Sequence, residues 1–179
     1  MNKEDLELEI KSVVRDVVDF PKPGIVFKDI TTLMRNPEVS NKTLDFLTNY
    51  YKNSEITKVV GIESRGFLFG AALAFRLNLP FIMIRKEGKL PYKKIKKSYN
   101  LEYGSATIEM HEDAINEGDK VLIHDDLLAT GGSAQAAAEL ILSQNGQIAG
   151  FNFLINLSFL GGQNKLSTYS ENILNLATY

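Results

Sequence analysis

Apolar residues recur every three or four positions at Leu6, Ile10, Val13, Val14 and Val17, a spacing that predicts an amphipathic helix over residues 3–18. The segment Phe20-Pro21-Lys22-Pro23-Gly24 ends it. After a loop, residues 40–51 predict a second helix with Leu44 and Leu47 on its apolar face, and residues 58–62 a short buried strand. Residues 66–77 predict a third helix and residues 79–84 the next strand. Residues 99–103 and 106–110 suggest a hairpin turning at Gly104-Ser105. Val121, Leu122 and Ile123 open another buried strand, residues 134–142 read as a helix rich in Ala, Leu and Glu, and residues 149–155 as a strand. A short helical turn at 160–166 precedes a last strand near 173–176. Strands that alternate with helices imply an α/β fold, a mostly parallel sheet covered by helices on both faces. The N-terminal segment and the hairpin are accessory parts of that plan.

Composition narrows the class. With 179 residues, 44% hydrophobic and five prolines, the chain suits one globular domain over residues 1–179. It shows no repeat, low-complexity tract or linker. No run of about 18 apolar residues could span a bilayer, and the amino terminus lacks the apolar core of a signal peptide, so a cytoplasmic protein with no membrane partner is expected. The absence of cysteine excludes disulfides, thiolate nucleophiles and cysteine-based zinc sites, and two histidines cannot supply a histidine-rich metal centre. Magnesium carried by substrate phosphates, with no direct protein ligand, stays compatible with this inventory. Residues 85–97 hold seven Lys or Arg and one Glu, a local +6 within a chain of net charge −2. Alone, that segment reads as a solvated loop, with nucleic-acid binding a lesser option.

The most informative stretch runs from Leu122 to Ser133, where an apolar strand ends in Asp125 and Asp126 and then in a glycine-rich turn that opens a helix. Residues 125–133 are therefore placed in the strand-to-helix turn, where open α/β sheets bind ligands. Gly131 and Gly132 allow close backbone approach, and free N–H groups at a helix N-terminus attract an anion. Two carboxylates would repel a phosphate but accept protons from two sugar hydroxyls. One ligand satisfies both halves, a ribose 5-phosphate. No Gly-Lys-Ser/Thr ending marks a triphosphate loop, and no dinucleotide fingerprint follows a strand. A plain polar turn with helix-capping residues is the competing account. Glu63-Ser64-Arg65-Gly66 occupies another strand-to-helix turn and makes a second phosphate site, unless Arg65 is a surface arginine paired with Glu63. Ser64 does not lie in a G-x-S-x-G elbow, so a serine hydrolase is set aside. His124 reads as a packed histidine at a strand end.

Taken together, Asp125-Asp126-Leu127-Leu128-Ala129-Thr130-Gly131-Gly132-Ser133 resembles the phosphoribosyl pyrophosphate (PRPP) motif of the type I phosphoribosyltransferases, most closely their adenine-specific branch. Residues 19–31, 61–70, 85–91 and 98–104 resemble the same family in the same order, so the likeness runs through most of the chain from residue 19 onward. The resemblance implies a small N-terminal hood over about residues 1–36 and a mobile hairpin lid over about 86–110. It implies transfer of the phosphoribosyl group from PRPP to adenine, giving AMP and pyrophosphate in purine salvage, with Mg²⁺ on the substrate phosphates. Asp125 and Asp126 would hold the ribose hydroxyls, Ala129, Thr130, Gly131, Gly132 and Ser133 the 5′-phosphate, and Ser64, Arg65, Arg85, Lys86 and Lys89 the pyrophosphate. Glu102 would be catalytic, on a lid shared with Tyr103: a lid carboxylate can assist proton loss from the base and offset positive charge developing on the sugar.

Val26, Phe27 and Lys28 would bind adenine, Phe27 by stacking and the backbone by reading the 6-amino group. A carbonyl placed for that amino group would face the 6-oxo group of hypoxanthine at a cost of roughly 1 to 3 kcal/mol. Phe27 as ordinary core is the alternative. The resemblance also suggests a homodimer, one of the basic residues at 85–89 reaching a neighbouring subunit's site, and no nucleic-acid partner. Lys93, Lys94, Lys96 and Lys97 have no counterpart in the motif and read as solubilising or steering charges. His124 stands where the family usually has an apolar residue, and Ser133 where it has Thr. A phosphoribosyltransferase for another base and a non-catalytic PRPP-binding regulator are the remaining alternatives.

Overall fold

The computed structural model describes residues 2–100 and 105–179. Asn2 caps helix α1 (Lys3–Val13) by accepting the Asp5 N–H at 2.8 Å, and Leu6 and Ile10 are buried beneath it. The helix stops at Val13 rather than at residue 18. Val14 turns extended, and Arg15–Val18 forms strand β1, antiparallel to β2 (Val26–Asp29). The valine spacing suits either period, and β-branched side chains favour the strand once partners exist. Those partners are charged: Arg15 pairs with Asp29 and Asp16 with Lys28, each directly across the ladder. The expected N-terminal loop is thus a two-stranded ribbon followed by a helical turn, α2 (Thr31–Met34). Helix α3 (Pro37–Tyr51) starts three residues ahead of the predicted boundary, because Asn36 caps it and Pro37 fits its first turn.

The main sheet contains β3 (Lys58–Ile62), β4 (Phe81–Lys86), β5 (Lys94–Asn100), β6 (Ser105–His111), β7 (Lys120–Leu128), β8 (Gln147–Asn156) and β9 (Ile173–Thr178). Its spatial order is β5-β6-β4-β3-β7-β8-β9. The run from β4 to β9 is parallel, while β6 is antiparallel to β4 and β5 to β6. Helix α4 (Gly66–Arg76) follows β3, α5 (Gly132–Ser143) follows β7, and the short α6 (Gly162–Leu166) precedes β9. Two cores flank the sheet: Leu122 packs with Leu6, Leu47, Phe69 and Leu73 on one face, and Ile123, Phe151 and Phe153 pack with Ala137, Leu140 and Ile141 of α5 on the other.

Three boundaries differ from the sequence reading in ways that matter for function. Strand β4 is shifted two residues towards the carboxyl end and includes Arg85 and Lys86. Strand β7 continues through Leu128, so Asp125 and Asp126 belong to the strand and only residues 129–131 make the turn. Strand β5 begins inside the lysine-rich segment, which is not a free loop. Lys93, Lys94, Lys96 and Lys97 pair with Glu112, Glu109, Glu87 and Glu139 at 3.8, 3.3, 3.1 and 2.6 Å. These lysines fasten the hairpin to its surroundings instead of projecting a steering field. Apart from Glu87, which belongs to the segment itself, the acidic partners lie on or just after β6 or on α5, where a count of local charge does not find them.

Candidate active site at the carboxyl edge of the sheet

Parallel pairing brings the carboxyl ends of β3, β4 and β7 together: Ile62 lies beside Ile84, and Gly61 beside His124. The connections that leave these strands therefore meet at one edge. At the end of β7, Gly131 adopts φ +77° and serves as the N-cap of α5 with no side chain to occupy the cap position. A Cβ at Gly131 would lie 3.0 Å from the Gly162 carbonyl oxygen, so both the backbone angle and the space call for glycine. The first-turn N–H groups of α5 are left for an outside acceptor. They open onto a cavity of about 180 Å³ lined by Tyr99, Asp125, Leu127, residues 129–134 and Phe153.

Asp125 is enclosed on nearly every side yet keeps an opening onto this cavity, and Asp126 is only 4% exposed. Burial, and then the neighbouring Asp126 charge, raise the Asp125 carboxyl well above the usual carboxylate range. Asp126 is also raised by burial, with Arg65 pulling the other way. The Arg65 Nε lies 2.9 Å from Asp126 Oδ2 in an ion pair without hydrogen-bond alignment, which leaves that buried oxygen able to accept a proton donor. Gly66, one residue beyond Arg65, makes this approach feasible: a Cβ there would sit 2.8 Å from Asp125 Oδ1 and 2.9 Å from the His124 carbonyl oxygen.

Arg65 does not pair with Glu63. That carboxylate instead accepts from Arg85 at 3.1 and 3.3 Å and from the Lys86 backbone N–H at 2.8 Å, and Arg85 also donates to the Lys89 carbonyl at 3.2 Å. These bonds hold the Glu63 carboxyl below its ordinary range against the upward push of burial. The β3 and β4 ends are thereby locked to each other, with Ser64 exposed and Lys86 and Lys89 directed to solvent. On its other side, the Arg65 guanidinium lies 5.3 Å from the centroid of the Phe27 ring. Strand β2 thus meets the β3–α4 turn and the paired carboxylates through one arginine.

Phe27 is half-buried and packs edge-on against Phe20 at 5.3 Å, so it is not ordinary core. Strand alternation turns Val26 and Lys28 to the opposite face, where with Asp16, Ala129, Thr130, Leu160 and Tyr179 they line a cavity of about 700 Å³. The Lys28 ammonium is held by Asp16 at 2.7 Å and lies 4.0 Å from the Tyr179 ring centroid. Glu102 and Tyr103 lie outside the described residues. Among the described residues, no three His, Cys, Asp or Glu side chains gather as a metal site.

His124 is fully buried under these turns. Its Nδ1 is 2.7 Å from Asn152 Oδ1, and because the Asn152 amide donates to the Leu174 carbonyl at 3.2 Å, Nδ1 carries the proton. Burial lowers its pKa to about 4, against a smaller upward effect of Asn152. Four lining residues have no role in the sequence reading: Leu127 and Ala134 flank the turn on either side, and Tyr99 and Phe153 come from outside it. Phe153 comes from β8, outside every motif, and Tyr99 lies inside one whose spacing does not say where its phenol points. Period-2 alternation from Lys97 is the signal that would have aimed Tyr99 at α5.

Residues 29–167 match the family model of the phosphoribosyl transferase domain. The adenine phosphoribosyltransferase of Cytophaga hutchinsonii is 47% identical over 99% of this chain and 98% of its own length. The crystal structure of the Rhodothermus marinus adenine phosphoribosyltransferase is 45% identical, with a TM-score of 0.91 over 98% of this chain and 99% of that one. The Saccharomyces cerevisiae enzyme, solved with adenine and an imino-altritol bisphosphate, is 38% identical with a TM-score of 0.89 over 97% and 99% of the two chains. With an uncapped helix turn, paired buried carboxylates and an arginine shared with the hood already at one sheet edge, these matches over nearly the full length establish that the chain belongs to the type I phosphoribosyltransferase family, among its adenine phosphoribosyltransferases.

Proposed function

We propose that the β7–α5 turn, the β3–α4 turn and the hood carry out the transfer of a phosphoribosyl group from PRPP to adenine, with AMP and pyrophosphate as products. The observation that supports this assignment is Arg65, which contacts Asp126 and Phe27 at once and so joins the residues proposed for pyrophosphate, ribose and base. In this reading the residues 129–133 hold the 5′-phosphate, and the ribose hydroxyls donate to Asp125 and Asp126, which gives the buried Asp126 Oδ2 the hydrogen-bond partner it lacks. Arg65, Arg85, Lys86, Lys89 and the backbone near Ser64 take the pyrophosphate. Its arrival draws Arg65 from the carboxylates, and the face of Phe27 that Arg65 covers becomes available to the planar base. The backbone of Val26 and Lys28 reads the base edge, and Glu102, with Tyr103 on the same lid, assists proton loss from the purine nitrogen.

Mg²⁺ enters with PRPP. The donor set suits this, because Asp125 and Asp126 offer hard oxygen ligands but no third carboxylate joins them among the described residues. When bound, the ion neutralises charge on the leaving pyrophosphate. A homodimer is supported by the apolar residues that α4 and β4 leave exposed: Leu68 and Phe75 lie two turns apart on one helix face, and Met83 is on the neighbouring strand. A second copy would cover them and bring its β4 end near this site. Among the described residues no helix is long and apolar enough to cross a membrane, and a multiply charged substrate does not cross lipid unaided, so the reading places the enzyme beside its PRPP supply in the cytoplasm.

The test is AMP formation from PRPP and Mg²⁺, with adenine, hypoxanthine, guanine or orotate offered separately. Turnover is expected with adenine, and the oxo-purines should be disfavoured by the roughly 1 to 3 kcal/mol of a mismatched acceptor pair. Equal rates with hypoxanthine would refute the backbone reading at Val26 and Lys28.

A further inference from the structure

We propose that Tyr99 is a ligand of the 5′-phosphate, donating its hydroxyl proton to the anion held by residues 129–133. This rests on the phosphoribosyl reading of that turn and adds a residue from the hairpin stem, on a separate part of the sheet. The position of Tyr99 is fixed on both sides. Lys97, two residues earlier and so on the same face of β5, pairs with Glu139 of α5 at 2.6 Å. Glu139 in turn accepts from Tyr169 at 2.9 Å and from Gln135 at 3.1 Å. Ser98 shares a 2.8 Å hydrogen bond with Thr107 across the hairpin, and Tyr99 itself lies opposite Ala106. The strand is therefore laid along α5 with the phenol at the helix's first turn.

There the Ser133 hydroxyl donates to the Tyr99 oxygen at 3.0 Å. A phenol has one proton to give and lone pairs to receive one. Ser133 fills the receiving side, and among the described residues the Tyr99 proton has no acceptor. The side chain is half-buried and lines the same cavity as Asp125, Thr130, Gly131 and Gly132. The carboxylate there serves the sugar, so the anion accessible to both the phenol and the uncapped N–H groups of α5 is the phosphate. Donation from Ser133 polarises the phenol and strengthens the bond it makes.

Calorimetry on the intact protein and on Tyr99→Phe, with ribose 5-phosphate and magnesium pyrophosphate as separate probes, decides the matter. Ribose 5-phosphate affinity should fall about tenfold, as for one hydrogen bond to a charged group, with pyrophosphate affinity and thermal midpoint unchanged. Unchanged ribose 5-phosphate binding overturns the proposal, as does parallel loss of both ligands with a lowered midpoint, which would mean that Tyr99 is merely structural. If the unaltered protein binds pyrophosphate but not ribose 5-phosphate, the reading of the turn fails along with it. Ser133→Ala adds an independent check: its effect should shrink in the Tyr99→Phe background, and strictly additive losses would break the proposed relay.

Discussion

The turn between β3 and α4 carries Glu63, Ser64 and Arg65, and its charges are already engaged, Glu63 with Arg85 and Arg65 with Asp126 and Phe27. The turn between β7 and α5 holds no charge beyond Asp126; it is Ala129, Thr130 and Gly131, with Gly132 opening the helix, and its offer is backbone N–H groups. Both lie at one edge of the sheet, yet they would receive anions by different physics. The neutral turn is preformed, so a phosphate there displaces only water and costs little reorganisation. The charged turn must exchange partners, so a pyrophosphate there competes with a buried carboxylate for Arg65. That exchange ties occupation of one site to the electrostatics of the other, since Asp125 and Asp126 lose their counter-charge as the pyrophosphate gains it.

The largest expected effect comes from Arg65→Ala. Pyrophosphate affinity, measured by calorimetry with Mg²⁺, should drop on the order of 100-fold, the upper range for a hydrogen-bonded charge. Ribose 5-phosphate affinity should change far less. An equal loss of both ligands would show that the two turns act as one unit and would erase the distinction between them.

His124 tests the seam between the turns, because it stands on the strand of one and packs on the helix of the other, its ring 3.2 Å from where a Cβ of Gly70 would lie. Its folded pKa of about 4 lies below the ordinary value of 6.5, so the unfolded chain binds the extra proton first. The stability conferred by the neutral ring is complete above the unfolded value and is lost as pH falls. Between pH 7 and pH 5 the loss from this residue is about 2 kcal/mol. His124→Asn keeps a donor for Asn152 but does not titrate, and its denaturant midpoint should be the flatter of the two over that window. Parallel pH curves would show that His124 is not held neutral at the seam.

How much of this was legible in the sequence follows from where each constraint resides. The strands at Val59 and Leu122 were legible as short apolar runs and the helix at residues 134–142 as a stretch rich in Ala, Leu and Glu, because burial on both faces and helix propensity imprint themselves locally. The β7–α5 connection was legible for a similar reason: a glycine-rich strand-to-helix turn is a local object. The hood was misread at Val14, where valine spacing suits helix and strand and the deciding partners, Asp29 and Lys28, lie over ten residues away. Likewise the lysines at 93–97 looked like a free cationic run until their acidic partners were brought in by pairing. The alternative partner for Arg65, Glu63, was the one local sequence offers, whereas its partner is Asp126, since only the parallel register of β3 and β7 sets the two turns side by side.

The smallest effect is the most specific to the neutral turn. Gly131→Ala forces a left-handed residue at φ +77° to carry a Cβ, at about 1 to 2 kcal/mol, and sets that carbon 3.0 Å from the Gly162 carbonyl oxygen. The turn must shift by a few tenths of an ångström, enough to misalign N–H groups that act only through their direction, and ribose 5-phosphate affinity should fall about tenfold while pyrophosphate affinity holds. Gly118 provides the control, because it has φ +82° with open space around it and lies at the other end of β7. Gly118→Ala should cost similar stability through backbone strain yet leave both ligands bound as before. If the two variants lose stability alike and both bind ribose 5-phosphate normally, the backbone of the β7–α5 turn does not hold the phosphate, and the contrast between a preformed turn and an exchanging one falls with it.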